Sequence, residues 1–396
     1  MRRVLVIGNI NTIFTFEYVT EILGNIQDIT IDIATFCDDE KEIVPERLEY
    51  CKQNSIAIYC LGKYVSRKHI CTAIGKYRKK YKALSIAKNY DIVQFLFVNS
   101  VESFLVCKIA PKTTRIISTF YGSDLLRAKD FDKLLLRRVL ERSNCITLGS
   151  ENMIQAFEET FKGNYLDKCV KADLGSNNAP ILAAQIDHLD KIECKRRFGI
   201  PEKKLSVFCG YNGRREHRHI QIIDELMKMD QSIKEKVCLV FHCGYELADT
   251  YKSELIQKAE ESGIEYVMIS DYLKGIELAK VRKAADIMLN LQISDALSNS
   301  MMENIYAGAV VIKGKWLDYP DLDKAGVFTV SIDDMDELPS YVTRITQQFG
   351  EYVSKCSMNK APCLRLMSWD TYKEIWKKVV LDKVDETEYI QNEQRT

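Results

Sequence analysis

Two acidic residues flank a polar turn in the stretch SDALSNSMMENIYAGAVV. Asp295 and Glu303 are separated by seven residues. The turn between them contains Ser298, Asn299 and Ser300. Short polar side chains of this kind accept hydrogen bonds from the unpaired amides at a helix N-terminus. Because such a terminus attracts phosphate oxygens, the pattern predicts an anion-binding turn, followed by a helix that carries Glu303.

The same stretch also has a purely structural interpretation. Ser300 and Glu303 have the spacing of a capping box, in which the serine and the glutamate each bind the other's backbone amide. Asp295 is then an ordinary turn residue. A functional interpretation is favoured because a cap requires neither Asp295 nor a position directly after DIMLNLQI, an apolar run typical of a buried strand.

A second group of charged residues follows another apolar run, LSVFCGY. The residues after this run include Arg214, Arg215, His217 and Arg218. Fixed cations at the end of a strand can stabilise the negative charge that builds on a departing diphosphate. The alternative is a solvated loop, but the position directly after a strand favours phosphate binding.

Two segments of the N-terminal half supply further candidates. Asp124, in TFYGSDLL, is a candidate general base, and Tyr121 is a weaker one. Both have structural alternatives, since Asp124 can cap the following helix and Tyr121 can be a packing residue. The first loop, GNINTIF, lacks the spacing G-x-G-x-x-G, which counts against a dinucleotide cofactor. Its Gly8, Asn9 and Asn11 could still offer amides to an acceptor or a donor.

The alternation of strand-like and helix-like segments determines where these residues lie. Short apolar runs rich in β-branched residues recur from RVLVIG to AVVIKG, with helical patterns such as TFEYVTEIL between them. Such alternation predicts parallel sheets with helices on both faces. It occurs on both sides of residues 176–200. We therefore expect an α/β protein with two Rossmann-like, doubly wound domains that face each other across a cleft.

We place the first domain at residues 1–180 and the second at residues 181–367, with a polar tail at residues 382–396 that we expect to fray. In open parallel sheets, ligands bind beyond the carboxyl ends of the strands. The stretch that contains Asp295 and Glu303 begins at such an end. These residues are therefore expected to face the cleft.

The sequence resembles GT-B glycosyltransferases, in particular the retaining family 4 type, which has two glutamates at the spacing of Asp295 and Glu303. TFYGSDLL is similar to that family's His-Gly-Ser-Asp segment, with Tyr121 in place of the histidine. GYNGRREHRHI lacks the family's Lys-Gly and also resembles the lipid-linked 4-acetamidofucosyl transferases. The segment at residues 368–381 resembles the closing helix that returns to the N-terminal domain.

The resemblance implies a hexosyltransferase-like glycosyltransferase with an N-terminal acceptor domain and a C-terminal domain for a nucleotide-diphosphate sugar. Glu303 would hold the nucleotide ribose, and Asp295 would face the donor sugar. The other donor-side residues would be Arg214, Arg215, His217, Tyr272, Ser298, Asn299 and Ser300. A retaining reaction needs no protein base, because the departing phosphate accepts the proton, whereas an inverting reaction would use Asp124 or Tyr121. No metal or other cofactor is expected.

The expected acceptor is a saccharide, in lipid-linked form, of bacterial-type surface polysaccharide or glycan synthesis. Residues 61–90 contain nine basic residues and no acid. Aromatic and apolar residues are interleaved with them, and a basic amphipathic segment suits an anionic membrane surface. The predicted membrane patch consists of Arg67, Lys68, Lys76, Arg78, Lys79 and Lys80. The alternative is a solvated helix face; nucleic acid is not expected, because no recognition motif accompanies the charge.

Composition limits the class of protein further. The 396 residues carry zero net charge, so bulk charge indicates neither nucleic acid nor membrane. Thirteen scattered cysteines are typical of a reducing compartment, and no apolar run has the length of a signal peptide or a membrane span. We therefore expect a cytoplasmic protein, with the basic segment as a candidate contact with the inner face of the membrane.

Two other functions stay open. A nucleotide-sugar epimerase has the same two-domain fold, but it would need a further cluster of acids and a histidine, and the chain has only five histidines. A non-catalytic relative that binds a partner is also consistent with the residues, because Asp295 replaces the family's first glutamate and the usual lysine of the basic loop is absent.

Overall fold

Two compact units make up the chain in the computed structural model, which describes residues 1–62 and 80–390. The first unit contains Met1–Gly175 and Trp369–Thr396, and the second contains Ser176–Ser368. Each unit is built on one parallel β-sheet with helices between its strands. The predicted fold class, two doubly wound α/β domains, is therefore confirmed.

The first unit contains a seven-stranded sheet. Its strands are β1 (Arg2–Ile7), β2 (Ile29–Thr35), β3 (Ile58–Cys60), β4 (Ile92–Leu96), β5 (Arg115–Thr119), β6 (Cys145–Leu148) and β7 (Cys169–Lys171). They lie in the order β3-β2-β1-β4-β5-β6-β7. The helices between them include α1 (Ile13–Glu17), α2 (Pro45–Gln53), α3 (Ser100–Ile109), α4 (Ser123–Leu126), α5 (Asp130–Arg142) and α6 (Glu151–Phe161).

The second unit contains a six-stranded sheet. Its strands are β8 (Leu205–Cys209), β9 (Val237–His242), β10 (Tyr266–Ile269), β11 (Ile287–Asn290), β12 (Val310–Gly314) and β13 (Val330–Ile332), in the order β10-β9-β8-β11-β12-β13. Its helices include α7 (Asn178–Asp187), α8 (Lys191–Arg197), α9 (His219–Leu226), α10 (Gln231–Lys234), α11 (Asp249–Glu261), α12 (Gly275–Lys283), α13 (Asn299–Tyr306), α14 (Pro320–Ala325), α15 (Leu338–Gln347), α16 (Phe349–Cys356) and α17 (Lys360–Met367).

The central strands are apolar because helices cover both faces of each sheet. Strands β4, β9 and β11 are buried along their whole length. The apolar runs in the sequence therefore identified nearly all of the strands. The exception is β13, which has three residues and lies at the edge of its sheet. A strand of this length is too short to produce a recognisable pattern.

A buried carboxylate connects the amino ends of β8 and β11. Asp286, directly before β11, accepts from the backbone amide of Ser206 at 3.0 Å and from Nζ of Lys191 at 2.9 Å. It also forms an ion pair with Lys195, which is itself buried. Burial alone would raise the pKa of Asp286, but Lys191 and Lys195 lower it. The charge is therefore compensated where the two strands begin.

Helix α18 (Trp369–Leu381) packs within the first unit. Trp376 is fully buried, and its indole nitrogen donates to the carbonyl oxygen of Asp173 at 2.7 Å. Its ring meets the ring of Tyr18 edge to face, with the centroids 4.8 Å apart. A chain segment from the far end of the sequence thus completes the core of the first unit.

The start of the polar tail is paired with the first sheet, although we expected it to fray. The backbone amide of Ile390 donates to the carbonyl of Cys169 at 2.9 Å, and Tyr389 forms an antiparallel bridge with Val170. Strand β7 is at the edge of its sheet, so its outer backbone groups are available for this pairing.

We expect Trp376→Ala to lower the stability of the first unit by about 3–5 kcal/mol, because it removes a large buried ring and leaves a cavity. Hydrogen exchange of the amides in β1 and β4 measures the effect on that unit. Glu374→Ala changes an exposed residue of the same helix and serves as the control. Equal exchange rates in the two variants would contradict the packing role of Trp376.

Candidate functional site

The order of strands in the second sheet reverses between β8 and β11. Connections that leave two neighbouring strands in opposite directions open a crevice at the carboxyl edge, where ligands of doubly wound sheets bind. The basic loop follows β8, and the acidic turn follows β11. The backbone amide of Ile293 donates to the carbonyl of Glu216 at 3.1 Å. The two segments predicted from the sequence are therefore in direct contact.

Asp295 holds the turn after β11 together. Its Oδ2 accepts from the hydroxyl of Tyr319 at 2.8 Å and from the amide of Ser298 at 3.1 Å. The hydroxyl of Tyr211 lies 3.5 Å from Oδ1. Burial raises the pKa of Asp295, and the hydrogen bonds from Tyr319 and Ser298 oppose this shift. Both carboxylate oxygens thus have partners within the protein.

Helix α13 begins at a different residue from the one that a capping box requires. The hydroxyl of Ser298 accepts from the amide of Met301 at 3.4 Å, which makes Ser298 the N-cap. Glu303 lies in the second turn of the helix, whereas the glutamate of a capping box lies three residues after the cap. The capping-box interpretation of Ser300 and Glu303 is therefore wrong.

A buried arginine contacts Glu303 and was not identified from the sequence. Arg282, in α12, donates from Nε to Oε2 of Glu303 at 2.9 Å. Its Nη2 lies 3.1 Å from the hydroxyl oxygen of Ser300, and its Nη1 lies 3.4 Å from Nδ1 of His242. Arg282 is only 3% exposed. In the sequence, an arginine within a helical pattern indicates a surface position, and nothing local relates it to Glu303.

His242 ends β9 and is neutral at physiological pH. Burial, and to a smaller extent the positive charge of Arg282, lower the pKa of His242 to about 3. Because Nδ1 faces an N–H donor of Arg282, the ring proton of the neutral imidazole belongs on Nε2. The arginine therefore joins the end of a strand to the first two turns of α13.

Two cations of the basic loop already have carboxylate partners. Arg214 pairs with Glu246, and its Nη2 donates to Oε1 at 2.6 Å. Arg215 pairs with Glu254 at 2.5 Å. Both acids follow β9, so neighbouring segments of the same unit balance the charge of these arginines. The sequence predicted the cations but not the acids that face them.

The other two basic residues of the loop differ from this pair. His217 is buried, and its ring lies 4.4 Å from the ring of Tyr211, centroid to centroid. Arg218 has a left-handed backbone, with φ at 58°, and its guanidinium lies 5.2 Å from the ring centroid of Trp316. Within residues 1–62 and 80–390, no carboxylate lies within ion-pair distance of Arg218.

Two exposed tyrosines extend this edge of the sheet. Tyr272 follows β10 and is 64% exposed, and Tyr245 follows β9. Their rings meet edge to face, with the centroids 6.1 Å apart. The amide nitrogen of Asn212, in the loop after β8, lies 3.4 Å from the hydroxyl oxygen of Tyr245. The aromatic pair is therefore connected to the basic loop.

Asp124 is enclosed by backbone amides at the carboxyl edge of the first sheet. Its Oδ2 accepts from the amide of Val98 at 2.8 Å, and its Oδ1 accepts from the amides of Tyr121 and Gly122, each at 2.9 Å. Burial raises the pKa of Asp124 to about 6, although these hydrogen bonds lower it. The carboxylate connects the loops after β4 and β5.

Tyr121 and the first loop lie near the same edge. Tyr121 packs edge to face against Phe14, with the ring centroids 5.9 Å apart. A Cβ atom at Gly8 would lie 3.1 Å from Cβ of Leu96, so little room is left for a side chain there. Asn9 accepts from the amide of Asn11 at 3.0 Å. The side chain of Asn11 bonds in turn to the backbone of residues 42 and 44.

The predicted membrane patch lies mostly outside the described residues. Five of its six members lie outside residues 1–62 and 80–390, namely Arg67, Lys68, Lys76, Arg78 and Lys79. Lys80 is described, and its position differs from the prediction. It is buried, and its Nζ donates to Oε1 of Glu102 at 2.7 Å. A buried lysine requires such a partner, so Lys80 is not an exposed member of the patch.

In the part of the chain that the structure describes, no three His, Cys, Asp or Glu side chains form a group that could hold a metal ion. The helices of that part are all too short or too polar to cross a membrane.

Sequence comparison identifies no relative: no family model matches the chain, and no curated protein sequence does. Solved structures do match. HepE of Anabaena, in complex with UDP-glucose, is 13% identical with a TM-score of 0.68, over 96% of this chain and 100% of that chain. Sucrose-phosphate synthase of Thermosynechococcus elongatus is 11% identical with a TM-score of 0.70, over 96% and 99%.

A glycosyltransferase of Rickettsia africae matches over 96% of this chain and 98% of its own, with 13% identity and a TM-score of 0.69. The structural neighbours are GT-B glycosyltransferases. At these identities the similarity shows a common fold. The two parallel α/β domains of this chain are therefore those of the GT-B architecture.

A buried histidine beside the site should make the second unit sensitive to acid. Burial lowers the pKa of His219 to about 4, while backbone hydrogen bonds oppose the shift. A histidine with a lowered folded-state pKa contributes stability above its unfolded pKa of about 6.5. This contribution is lost as the pH falls from that value toward 4. We expect His219→Gln to reduce the fall in melting temperature between pH 7 and pH 5.

The variant is compared with the wild type at each pH, so that the other titrating groups cancel. His242 titrates in the same direction as His219. Asp124 has a raised pKa of about 6 and titrates in the opposite direction. Both groups are present in the wild type and in the variant. Parallel curves of melting temperature against pH would contradict the buried neutral state of His219.

Proposed function

We propose that this protein is a glycosyltransferase that moves a sugar from a nucleotide-diphosphate sugar to a saccharide acceptor. The second unit binds the donor, and the first unit binds the acceptor. Glu303 accepts hydrogen bonds from the nucleotide ribose. The basic loop and the amides at the start of α13 stabilise the diphosphate as it leaves, and no metal ion is required.

One observation carries this proposal. The basic loop, the acidic turn and the Arg282–Glu303 pair meet where the second sheet reverses its strand order, which is the ligand-binding position of doubly wound sheets. The neighbour HepE, whose fold covers 96% of this chain, was solved in complex with UDP-glucose. That ligand has the diphosphate, ribose and sugar that such a site would accommodate.

The position of Asp124 favours a retaining reaction. A general base must first reach the proton that it removes, and its pKa is the second requirement. The raised pKa of about 6 would suit a base. Its oxygens, however, already accept from three backbone amides. In a retaining reaction the departing phosphate takes the acceptor's proton, so no protein base is needed.

Asp295 enters this proposal as the residue that shapes the turn beside the donor sugar. Tyr319 and Ser298 donate to its Oδ2, and Tyr319 also bonds to Asn290 at the end of β11. Because the carboxylate bridges these groups, it holds the N-terminus of α13 in a fixed position. We expect Asp295 to contribute mainly by holding the N-terminus of α13 in that position.

For the acceptor, we propose a lipid-linked saccharide of polysaccharide or glycan synthesis. Nine basic residues and no acid occur in residues 61–90, and this composition supports contact with an anionic membrane surface. Lys80 is not part of that contact, because it is buried against Glu102. We therefore assign the contact to the other basic residues of the segment and place the enzyme at the inner face of the membrane.

A second candidate is a protein that binds the nucleotide sugar without transferring it. Glu246 and Glu254 neutralise two arginines of the basic loop, which reduces the charge available to a leaving diphosphate. Binding of the sugar nucleotide without any transfer or hydrolysis of the sugar would favour this candidate. An epimerase would convert the sugar nucleotide without an acceptor.

We expect UDP, dTDP or GDP to raise the melting temperature of the protein, because a ligand that binds only the folded state stabilises it. Thermal-shift measurements with the three diphosphates and their sugars identify the preferred base. The corresponding nucleosides serve as controls for the diphosphate. The absence of a shift with all of these ligands at millimolar concentration would contradict the proposed donor site.

Glu303→Gln should weaken nucleotide binding because it removes a charged acceptor of hydrogen bonds. Such hydrogen bonds are each worth about 1.5–3 kcal/mol, so we expect affinity to fall about 10- to 150-fold. Calorimetric titration below the melting temperature measures the effect. The variant should also melt earlier, because Arg282 loses its carboxylate partner.

The matched control for this substitution is Glu202→Gln. Glu202 also pairs with an arginine, Arg196, but it precedes β8 and lies away from the carboxyl edge of the sheet. The Glu202→Gln variant should bind nucleotide like the wild type. If Glu303→Gln melts earlier but retains wild-type affinity, Glu303 is a structural partner of Arg282 and not a ligand of the nucleotide.

A further inference from the structure

Arg282 is a buried cation whose hydrogen bonds all point toward the proposed donor site. It contacts Glu303, Ser300 and His242 through its three nitrogens. Burial of a charge is costly unless the charge is paired and hydrogen-bonded. The guanidinium is planar and has a fixed fork of donors, so its three partners are held at fixed positions relative to one another.

The contact with Arg282 gives the two carboxylate oxygens of Glu303 different roles. Oε2 accepts from Nε of Arg282 at 2.9 Å. Among the described residues, no donor is hydrogen-bonded to Oε1. The carboxylate is partly exposed, at 16% of its side-chain surface, while the arginine beneath it is buried. One oxygen is therefore fixed by the protein, and the other is free to accept from a ligand.

The same contact orients the hydroxyl of Ser300. Its oxygen accepts from Nη2 of Arg282 at 3.1 Å. A serine hydroxyl has one proton to donate, and this proton then points away from the positively charged arginine. In the first turn of α13, that direction is suited to a ligand oxygen. Arg282 thus orients two groups at once, a hydrogen-bond acceptor on Glu303 and a hydrogen-bond donor on Ser300.

We propose that Arg282 is a positioning residue of the donor site. It fixes the carboxylate of Glu303 and the hydroxyl of Ser300 in the orientation that binds the nucleotide, without contacting the nucleotide itself. This inference depends on the proposed function, because it concerns the same site. Neither the spacing of the acids nor the basic loop indicates such a residue.

The test compares Arg282→Met with Lys195→Met. Both remove a buried cation from the second unit and take an ion-pair partner from a carboxylate, although Asp286 keeps its pair with Lys191. The partner of Lys195 is Asp286, at the opposite end of β11 from the proposed site. Calorimetric titration uses the tightest binder among UDP, dTDP and GDP, at a temperature below the melting transition of each variant.

We expect both variants to melt earlier than the wild type, and only Arg282→Met to bind the nucleotide at least about 10-fold more weakly. Arg282→Lys keeps the charge without the fork of donors. It should melt closer to the wild type but still bind more weakly. In steady-state transfer, it should raise the KM for the donor while kcat changes little, a split that a general loss of stability does not produce.

A double-substitution cycle tests whether Arg282 acts through Glu303. In the Glu303→Gln background, Arg282→Met should weaken binding clearly less than it does in the wild-type background, because only the orientation of Ser300 is left to lose. If the two effects are instead additive, Arg282 contacts the nucleotide directly and the positioning role is overturned. The role is also overturned if Arg282→Met binds like the wild type.

These outcomes separate this inference from the proposed function. A wild-type protein that binds nucleotide, with unchanged affinity in Arg282→Met, overturns only the role of Arg282. A wild-type protein that binds none of the three nucleotides overturns the proposed function, and the positioning role with it.

Discussion

The pairing of β8 with β11 is the constraint on which the candidate site depends. These strands are far apart in the sequence but neighbours in the sheet, with Val207 opposite Ile287. At their amino ends, Asp286 bonds to the backbone of Ser206 and to two lysines. At their carboxyl ends, the chain leaves β8 and β11 in opposite directions. The basic loop and the acidic turn can meet only because this pairing is fixed.

Charge compensation determines the electrostatics of the site. Arg214 and Arg215 face glutamates that follow β9, and Arg282 faces Glu303. The buried charge of Arg282 would be costly without a partner, whereas Arg214 and Arg215 are exposed to solvent. These pairs hold the cations in place. A diphosphate that bound there, as we propose, would compete with these hydrogen bonds or add to them.

The two sheets use carboxylates in a similar way. In the first unit, Asp124 connects the loops after β4 and β5 through backbone amides. In the second unit, Asp295 connects the turn after β11 to Tyr319, which follows β12. In each case a buried carboxylate satisfies backbone or hydroxyl donors that would otherwise be unpaired at a sheet edge. Acids that resemble catalytic residues in the sequence therefore also organise the loops.

The sequence by itself determined the fold class, nearly every strand, and the two segments that meet at the second sheet's carboxyl edge. These follow from local properties, because strands buried on both faces are apolar along their whole length. Only the tertiary structure decided the partners of the charged side chains. Arg282 is 21 residues from Glu303, and Lys80 is 22 residues from Glu102. Pairs of this kind depend on how helices pack against a sheet, and no periodicity within one segment records that packing.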